Sequence, residues 1–169
     1  EWCDELFGGI LNAGPERLDA AVKAGIAQVV SLGALDMINF GPVSSLPREM
    51  RDRLMYEHNP TTTLIRTTVE ENRQLGGKIA EKLNGATRPV TIMIPRRGFS
   101  ALDIEGGAFF DPAADTAAVD SLIAALTNSH VSVKMIDAHI NDPEFAAACV
   151  HELMELTTTE LATTTERGN

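Results

Sequence analysis

Residues 90–103 read Val-Thr-Ile-Met-Ile-Pro-Arg-Arg-Gly-Phe-Ser-Ala-Leu-Asp, and this stretch decides the fold. Val90 to Ile94 is a strand pattern bounded by Pro89 and Pro95, and the glycine-containing loop that follows turns the chain back. Working outward, Asp111-Pro112 opens a helix to about Thr127, with Val119, Leu122, Ile123 and Leu126 on its apolar face. Val131 to Asp137 is a second strand, and Asp142-Pro143 starts a last helix through Leu156. The rhythm is strand, helix, strand, helix. It predicts an α/β domain with a mainly parallel sheet.

The first half repeats the rhythm less cleanly. Gly14-Pro15-Glu16 opens a helix carrying Leu18, Ala21 and Val22 and stopping at Gly25. Ile26 to Ser31 is a short buried strand, followed by the glycine-containing stretch 33–42. Pro47 to Leu54 reads as another short helix crowded by Arg48, Arg51 and Arg53, and Thr63 to Arg66 as a short strand. Thr68 and Glu71 then have the spacing of a capping box at the head of a long helix. Gly76-Gly77 inside that helix costs about 1 kcal/mol per glycine relative to Ala, which the close approach of another backbone would explain. Residues 158–169 have no periodic pattern and are expected to fray or link onward.

Composition narrows the functional classes. The 169 residues carry 14 Lys+Arg against 24 Asp+Glu, a net charge of −10, with 44% hydrophobic residues, enough for one compact core. No apolar run approaches the roughly 18 residues of a membrane span, and no basic leader opens the chain. An acidic chain is a poor match for nucleic acid, so direct binding to it is not expected. Cys3 and Cys149 lie far apart without metal spacing and read as reduced thiols of a cytoplasmic protein. The charge is uneven. Residues 1–97 balance 12 basic against 12 acidic groups, whereas 98–169 hold only Lys134 and Arg167 against 12 acids. An anionic ligand is therefore expected at the first half or at the Arg96-Arg97 junction.

Ligands of open parallel sheets bind beyond the carboxyl ends of the strands. Three strand ends supply candidates: Ser31, Gly33, Asp36 and Asn39; then Arg96, Arg97, Gly98 and Ser100; then Asp137, His139, Asn141 and Asp142. In the second group Gly98 would let the backbone approach an anion and Ser100 would donate a hydroxyl, although no P-loop or dinucleotide fingerprint is present. Arg66 beside Thr67 and Thr68 would suit a phosphate or carboxylate; equally, the threonines cap the next helix while Arg66 pairs with an acid. Asp137 and His139 offer acid–base chemistry, or with Asp142 a metal, against the plainer reading of Asp142 as a helix cap. The latter is preferred over a metal site. Ser100 has no nucleophile-elbow context.

The runs at 8–21 (GGILNAGPERLDAA), 29–41 (VVSLGALDMINFG), 58–72 (HNPTTTLIRTTVEEN), 94–115 (IPRRGFSALDIEGGAFFDPAAD) and 139–146 (HINDPEFA) resemble the Tm-one-like ATP-binding domain family, which includes uncharacterised microbial proteins and a plant inhibitor of tobamovirus replication. The resemblance covers residues 1–157. It implies a Rossmann-like three-layer αβα fold in a truncated C-terminal subdomain, whose missing N-terminal subdomain would be its partner. It also implies binding of ATP or another nucleotide, with Mg²⁺, and self-association. Family blocks hold Gly33, Asp36, Asn39, His58, Asn59, Arg66, Thr67, Gly98, Ser100, His139, Asn141 and Asp142, while the Arg96-Arg97 pair departs from the usual block. The apolar Trp2, Leu6, Phe7 and Ile10 are expected to lie exposed and favour a homodimer. The leading expectation is a module forming part of a cleft for a nucleotide or small phosphorylated ligand. The alternatives are an enzyme using Asp137 and His139, and a protein-interaction scaffold.

Overall fold

A computed structural model describes the backbone of residues 1–167 and the side chains of residues 1–158. Its elements are α1 (Trp2–Phe7), α2 (Asp19–Ala24), β1 (Gln28–Ser31), β2 (Met37–Phe40), β3 (Met55–Asn59), β4 (Thr62–Arg66), α3 (Val69–Leu83), β5 (Val90–Pro95), α4 (Pro112–Ala125), β6 (Val131–Ile136) and α5 (Pro143–Arg167). The helix assigned as α5 continues through Arg167, over most of the segment expected as a tail. The side chains of that segment beyond residue 158 and residues 168–169 lie outside the description.

The stretch that decided the fold is the central strand. β5 pairs in parallel with β1 on one side and β6 on the other, with Val90 opposite Gln28 and Val131. All six β5 residues are buried, as a strand covered on both faces must be. The two-residue period of the strand sorts its side chains. Val90, Ile92 and Ile94 face the main core, built with Leu75, Ile79 and Leu83 of α3 and Ala118 and Leu122 of α4. Met93 faces the other way, onto Ala138 and Phe145 under α5. Helices on both faces of a parallel sheet give the expected Rossmann-like three-layer αβα arrangement. No helix among the described residues is long and apolar enough to cross a membrane.

A second sheet, antiparallel and ordered β2-β4-β3, was only partly legible. The strand expected at Thr63–Arg66 is β4, but both its partners went unread. β3 shows no apolar alternation because most of it is exposed, and β2 is four residues long inside a glycine-flanked loop. Ile38, Phe40 and Ile65 deliver this sheet to the main core. The helix expected over 47–54 is reduced to a 3-10 turn at Arg48–Met50. Arg51 Nε donates to Leu46 O at 3.1 Å and closes the turn on itself, and Arg53 donates to Arg66 O at 2.6 Å and staples it to the sheet. The helix expected from Glu16 begins only at Asp19, after Leu18 in a left-handed conformation (φ 72°), and ends at Gly25 as read. The N-terminal apolar cluster is also less exposed than expected. Trp2 is buried in the main core and Phe7 packs against it, while Leu6, Ile10 and Leu11 face solvent.

The capping box forms as read. Glu71 N donates to Thr68 Oγ1 at 3.2 Å and Thr68 N to Glu71 Oε2 at 2.7 Å. The glycine pair has the foreseen cause, but only one glycine requires it. A Cβ on Gly76 would collide with the carbonyl oxygen of Ala118, at the crossing of α3 and α4, whereas one on Gly77 would meet only Ser121 Oγ at 3.5 Å. Gly76→Ala should therefore lower the unfolding free energy by about 1–3 kcal/mol through overpacking. Gly77→Ala should raise it by up to about 1 kcal/mol through helix propensity. Urea denaturation of the two variants checks both signs, and equal effects would mean that the helices do not cross at Gly76.

Candidate functional site

Beyond the carboxyl ends of β5 and β6 the chain leaves a cleft of about 350 Å³. Ile94, Pro95 and Met135 form its strand side, Arg96, Arg97 and Gly98 its rim, and Asp115, Thr116, Val119 and Asp120 of α4, with Phe110 just before the helix, its opposite wall. This is the position at which a parallel sheet presents its ligand site. Arg96 and Arg97 are both exposed. Arg97 is held by Asp137 through two hydrogen bonds, Nε to Oδ1 at 3.0 Å and a terminal nitrogen to Oδ2 at 2.8 Å. The pair holds the Asp137 carboxyl below its usual range and raises the guanidinium.

Behind the cleft lies a buried charge network centred on Arg66, the last residue of β4. Its Nε donates to Phe109 O at 2.8 Å, one terminal nitrogen to Thr67 Oγ1 at 2.9 Å, and the other to Asp115 Oδ1 at 2.8 Å and Asp111 O at 3.3 Å. Asp103 Oδ1 stands 3.9 Å from the same nitrogen. Asp103 is fully buried. Its Oδ2 accepts from Phe99 N at 2.8 Å, but Oδ1 meets no hydrogen-bond donor among the described residues. Asp36, also fully buried, accepts from Ser100 Oγ at 2.6 Å through Oδ2, and its Oδ1 is likewise unpartnered. Burial raises the Asp36 carboxyl, with the Ser100 hydroxyl pulling it back. Asp115 is pushed up to about 7, first by burial and then by the Asp103 carboxylate, with Arg66 acting in the opposite sense.

The structure decides between the two readings of Arg66 in favour of pairing with an acid, and places several other expected residues away from the cleft. Arg66 is not free to take a phosphate, because main-chain carbonyls, a hydroxyl and the Asp115 carboxylate occupy its donors. Thr67 Oγ1 donates to Leu35 O at 2.7 Å and accepts from Asn72, and Thr68 is the α3 cap, so both threonines serve the fold. Asn39 lies apart from the cleft. Its backbone and side-chain nitrogens bond Asp4 Oδ1 at 2.9 and 3.2 Å, which fastens α1 to β2. Gly33 follows β1 against Ile140, away from the cleft rim. Gly98, at φ 126°, does line the cleft, but a Cβ there would overlap the carbonyl of Asp103; the close approach is to the chain itself.

The acid–base pair proposed for Asp137 and His139 does not form. Asp137 faces solvent with Arg97. His139 is buried, with Nε2 2.8 Å from Ser100 O and Nδ1 accepting from Asn141 N at 3.2 Å. A carbonyl oxygen can only accept, so Nε2 carries the proton and both ring nitrogens are engaged. Asp142 accepts from His139 N at 2.8 Å, three residues upstream, so its side chain closes the turn before α5 and does not cap the N–H groups of the helix as expected. The structure brings Gly98, Ser100, Asp36, His139 and Asp142 together as the support of the loop after β5, rather than as a ligand set. Sequence reasoning missed the α4 wall and above all Asp115. The helix opens PAADTAAVD, where an acid among alanines reads as a solvated first-turn charge. No group of three or more His, Cys, Asp or Glu among the described residues is arranged to hold a metal ion.

The family model for the uncharacterised protein family UPF0261, C-terminal domain, matches residues 1–157. A UPF0261 protein of Clostridium tetani is 47% identical over 156 residues, covering 92% of this chain and 39% of its own length. A UPF0261 protein of Rhizobium meliloti is 47% identical over 151 residues, covering 89% of this chain and 38% of its own length. The ToMV resistance protein Tm-1(GCR237) of Solanum lycopersicum is 42% identical over 157 residues, covering 92% of this chain and 21% of its own length. The chain therefore spans less than half the length of the curated relatives it matches.

Two outcomes follow from the buried network. Arg66→Met should cost about 3–5 kcal/mol of stability, because it strands carboxylates without their cation; a loss below 1 kcal/mol in chemical denaturation would show that the network is not held as described. The second concerns pH. A carboxyl raised from 3.8 to about 7 binds more protons folded than unfolded, so its stabilisation is complete below the lower value and is lost as pH rises through the upper. The wild-type unfolding free energy should decline between about pH 5 and 8, and Asp115→Asn should flatten that decline. A wild-type profile that rises across the window would contradict the assignment.

Proposed function

From the premise that this chain belongs to the UPF0261 C-terminal domain family, we propose that its cleft is one wall of a binding site for a nucleotide or another small phosphorylated ligand. The observation that carries the reading is Arg96. It stands exposed at the rim of the cleft, and no side-chain hydrogen bond or ion pair holds it among the described residues, while its neighbour Arg97 is neutralised by Asp137. A guanidinium presented beside an apolar wall of Phe110, Val119 and Met135 suits an anionic group joined to an apolar or aromatic body.

The size of the cleft agrees with a shared site. Small-molecule pockets usually enclose about 300–1,000 Å³ and cover most of the ligand. At about 350 Å³ this one sits at the lower end and is open to solvent, so a nucleotide seated here needs a second wall from another part of the family protein. ATP or a related nucleotide is the expected occupant. Its Mg²⁺ would be carried on the phosphates and water, as that ion usually is.

The test uses a full-length family protein carrying this domain. Isothermal titration with ATP and ADP, with and without Mg²⁺, should give an affinity that Arg96→Ala lowers by roughly tenfold or more, the usual effect of losing a hydrogen bond to a charged group. The melting temperature should stay within experimental error, since Arg96 packs against nothing in the core. Unchanged affinity in the variant would remove Arg96 from the site and this reading with it.

A further inference from the structure

The rim of the cleft holds a second guanidinium, and its pairing leaves part of it unused. Arg96 and Arg97 lie in the turn after β5, where the two-residue alternation of a strand no longer sends neighbouring side chains to opposite faces, and both line the cleft. Main-chain bonds fix this turn against the chain leaving β6. Arg96 N donates to Ile136 O at 3.0 Å, Arg97 N to Ala138 O at 3.1 Å, and Ile140 N to Gly98 O at 3.2 Å. Asp137 belongs to that second stretch but does not itself line the cleft. It grips Arg97 from the side, taking Nε at 3.0 Å and Nη2 at 2.8 Å. Two of the five N–H donors of a guanidinium are thereby used, and three remain, both on Nη1 and one on Nη2. Nη1 meets no acceptor among the described residues, and the side chain is 60% exposed. The pair is not what holds the turn, since the main chain does so and an ion pair in water adds little. Asp137 cancels the charge of Arg97 and leaves the end of its fork open.

We propose that Arg97 is a second ligand-binding residue of the cleft, donating from the Nη1–Nη2 end of its guanidinium to the same phosphate that Arg96 takes. This rests on the cleft reading given above and adds a binding residue to it. The two arginines do different work. Arg96, unpaired among the described residues, supplies the attraction for an anion. Arg97 supplies geometry, because its net charge is balanced by Asp137 while the open end of its fork still matches two oxygens on one centre. A phosphate carries three strong acceptor oxygens, enough to meet both forks. The buried Arg66 has no such end to offer, since its donors are taken by Phe109 O, Thr67, Asp111 O and Asp115.

The test uses a full-length family protein carrying this domain, with ADP as the probe. Arg97→Lys keeps the positive charge and can still pair with Asp137, but it has no fork. Isothermal titration should show ADP affinity about tenfold or more below wild type, with the melting temperature within experimental error. An affinity equal to wild type overturns the proposal. The same substitution is then made in an Asp137→Asn background, where the carboxylate is gone. If Arg97 touches the ligand, Arg97→Lys again costs about tenfold or more. A cost that disappears in that background means that Arg97 acts only through Asp137, and the ligand contact is overturned. Arg96→Ala keeps this inference apart from the cleft reading. ADP affinity lowered by Arg96→Ala and untouched by Arg97→Lys leaves the cleft reading standing and removes Arg97 alone. A wild-type protein that binds no ADP removes that reading and this inference with it.

Discussion

Arg66 is the constraint on which the rest of this structure depends. One guanidinium at the end of β4 joins three pieces of chain that share no sheet. It holds the antiparallel sheet through its own backbone, the 99–111 loop through Phe109 O and Asp111 O, and the first turn of α4 through Asp115. Thr67, the next residue, fixes the loop after β1 through its hydroxyl on Leu35 O and its backbone N–H on Asp36 O. The two sheets can share a core only if the end of β4 is kept at this point. Arginine suits the task because its donors are fixed in a planar fork, which lets one side chain serve carbonyls and a carboxylate in different directions.

The parallel half of the fold was legible because its physics is local. Val90 to Ile94 between prolines, Asp111-Pro112 and Asp142-Pro143 as helix openings, and Thr68 with Glu71 as a capping box each need only a few neighbouring residues to be understood. Gly76 was legible in the same way, since a glycine in a helix demands a neighbour close by. β3 was not, because Met55–Asn59 lies on the open edge of its sheet and carries no buried face. Nor was the short helix at 47–54 correctly read, because what decides it is a set of arginine bonds to carbonyls, one of them at Arg66, far along the chain.

The site was less legible for a different physical reason. Glycine, serine, histidine and aspartate at strand ends suit a ligand, but the fold needs the same groups to satisfy its own loops. Ser100 caps a buried Asp36, His139 bridges Ser100 O and Asn141 N, and Gly98 lets two parts of one loop approach. Sequence order shows that these groups meet; it does not show whether their donors point inward. Arg96 and Arg97 illustrate the distinction. They are adjacent and chemically identical, yet one is neutralised by Asp137 while the other stands at the rim without such a partner among the described residues. Only the three-dimensional pairing separates an arginine held by a carboxylate from one left exposed at the rim.

Charge then sets the terms on which the cleft can work. The acidic surplus of the second half is not simply a solvated face, since Asp103 is fully buried and Asp115 mostly so. Together with Asp36 they place three carboxyls around the single guanidinium of Arg66, an excess of two negative charges if all are ionised. Such a group would oppose an anion of the kind proposed for the cleft, and at low local dielectric the opposition is not easily screened. An anion site above an acidic floor is self-consistent only if the floor carries protons. Protonation of Asp115 and the proposed occupancy of the cleft by an anion would therefore favour each other, because each lowers the electrostatic cost of the other.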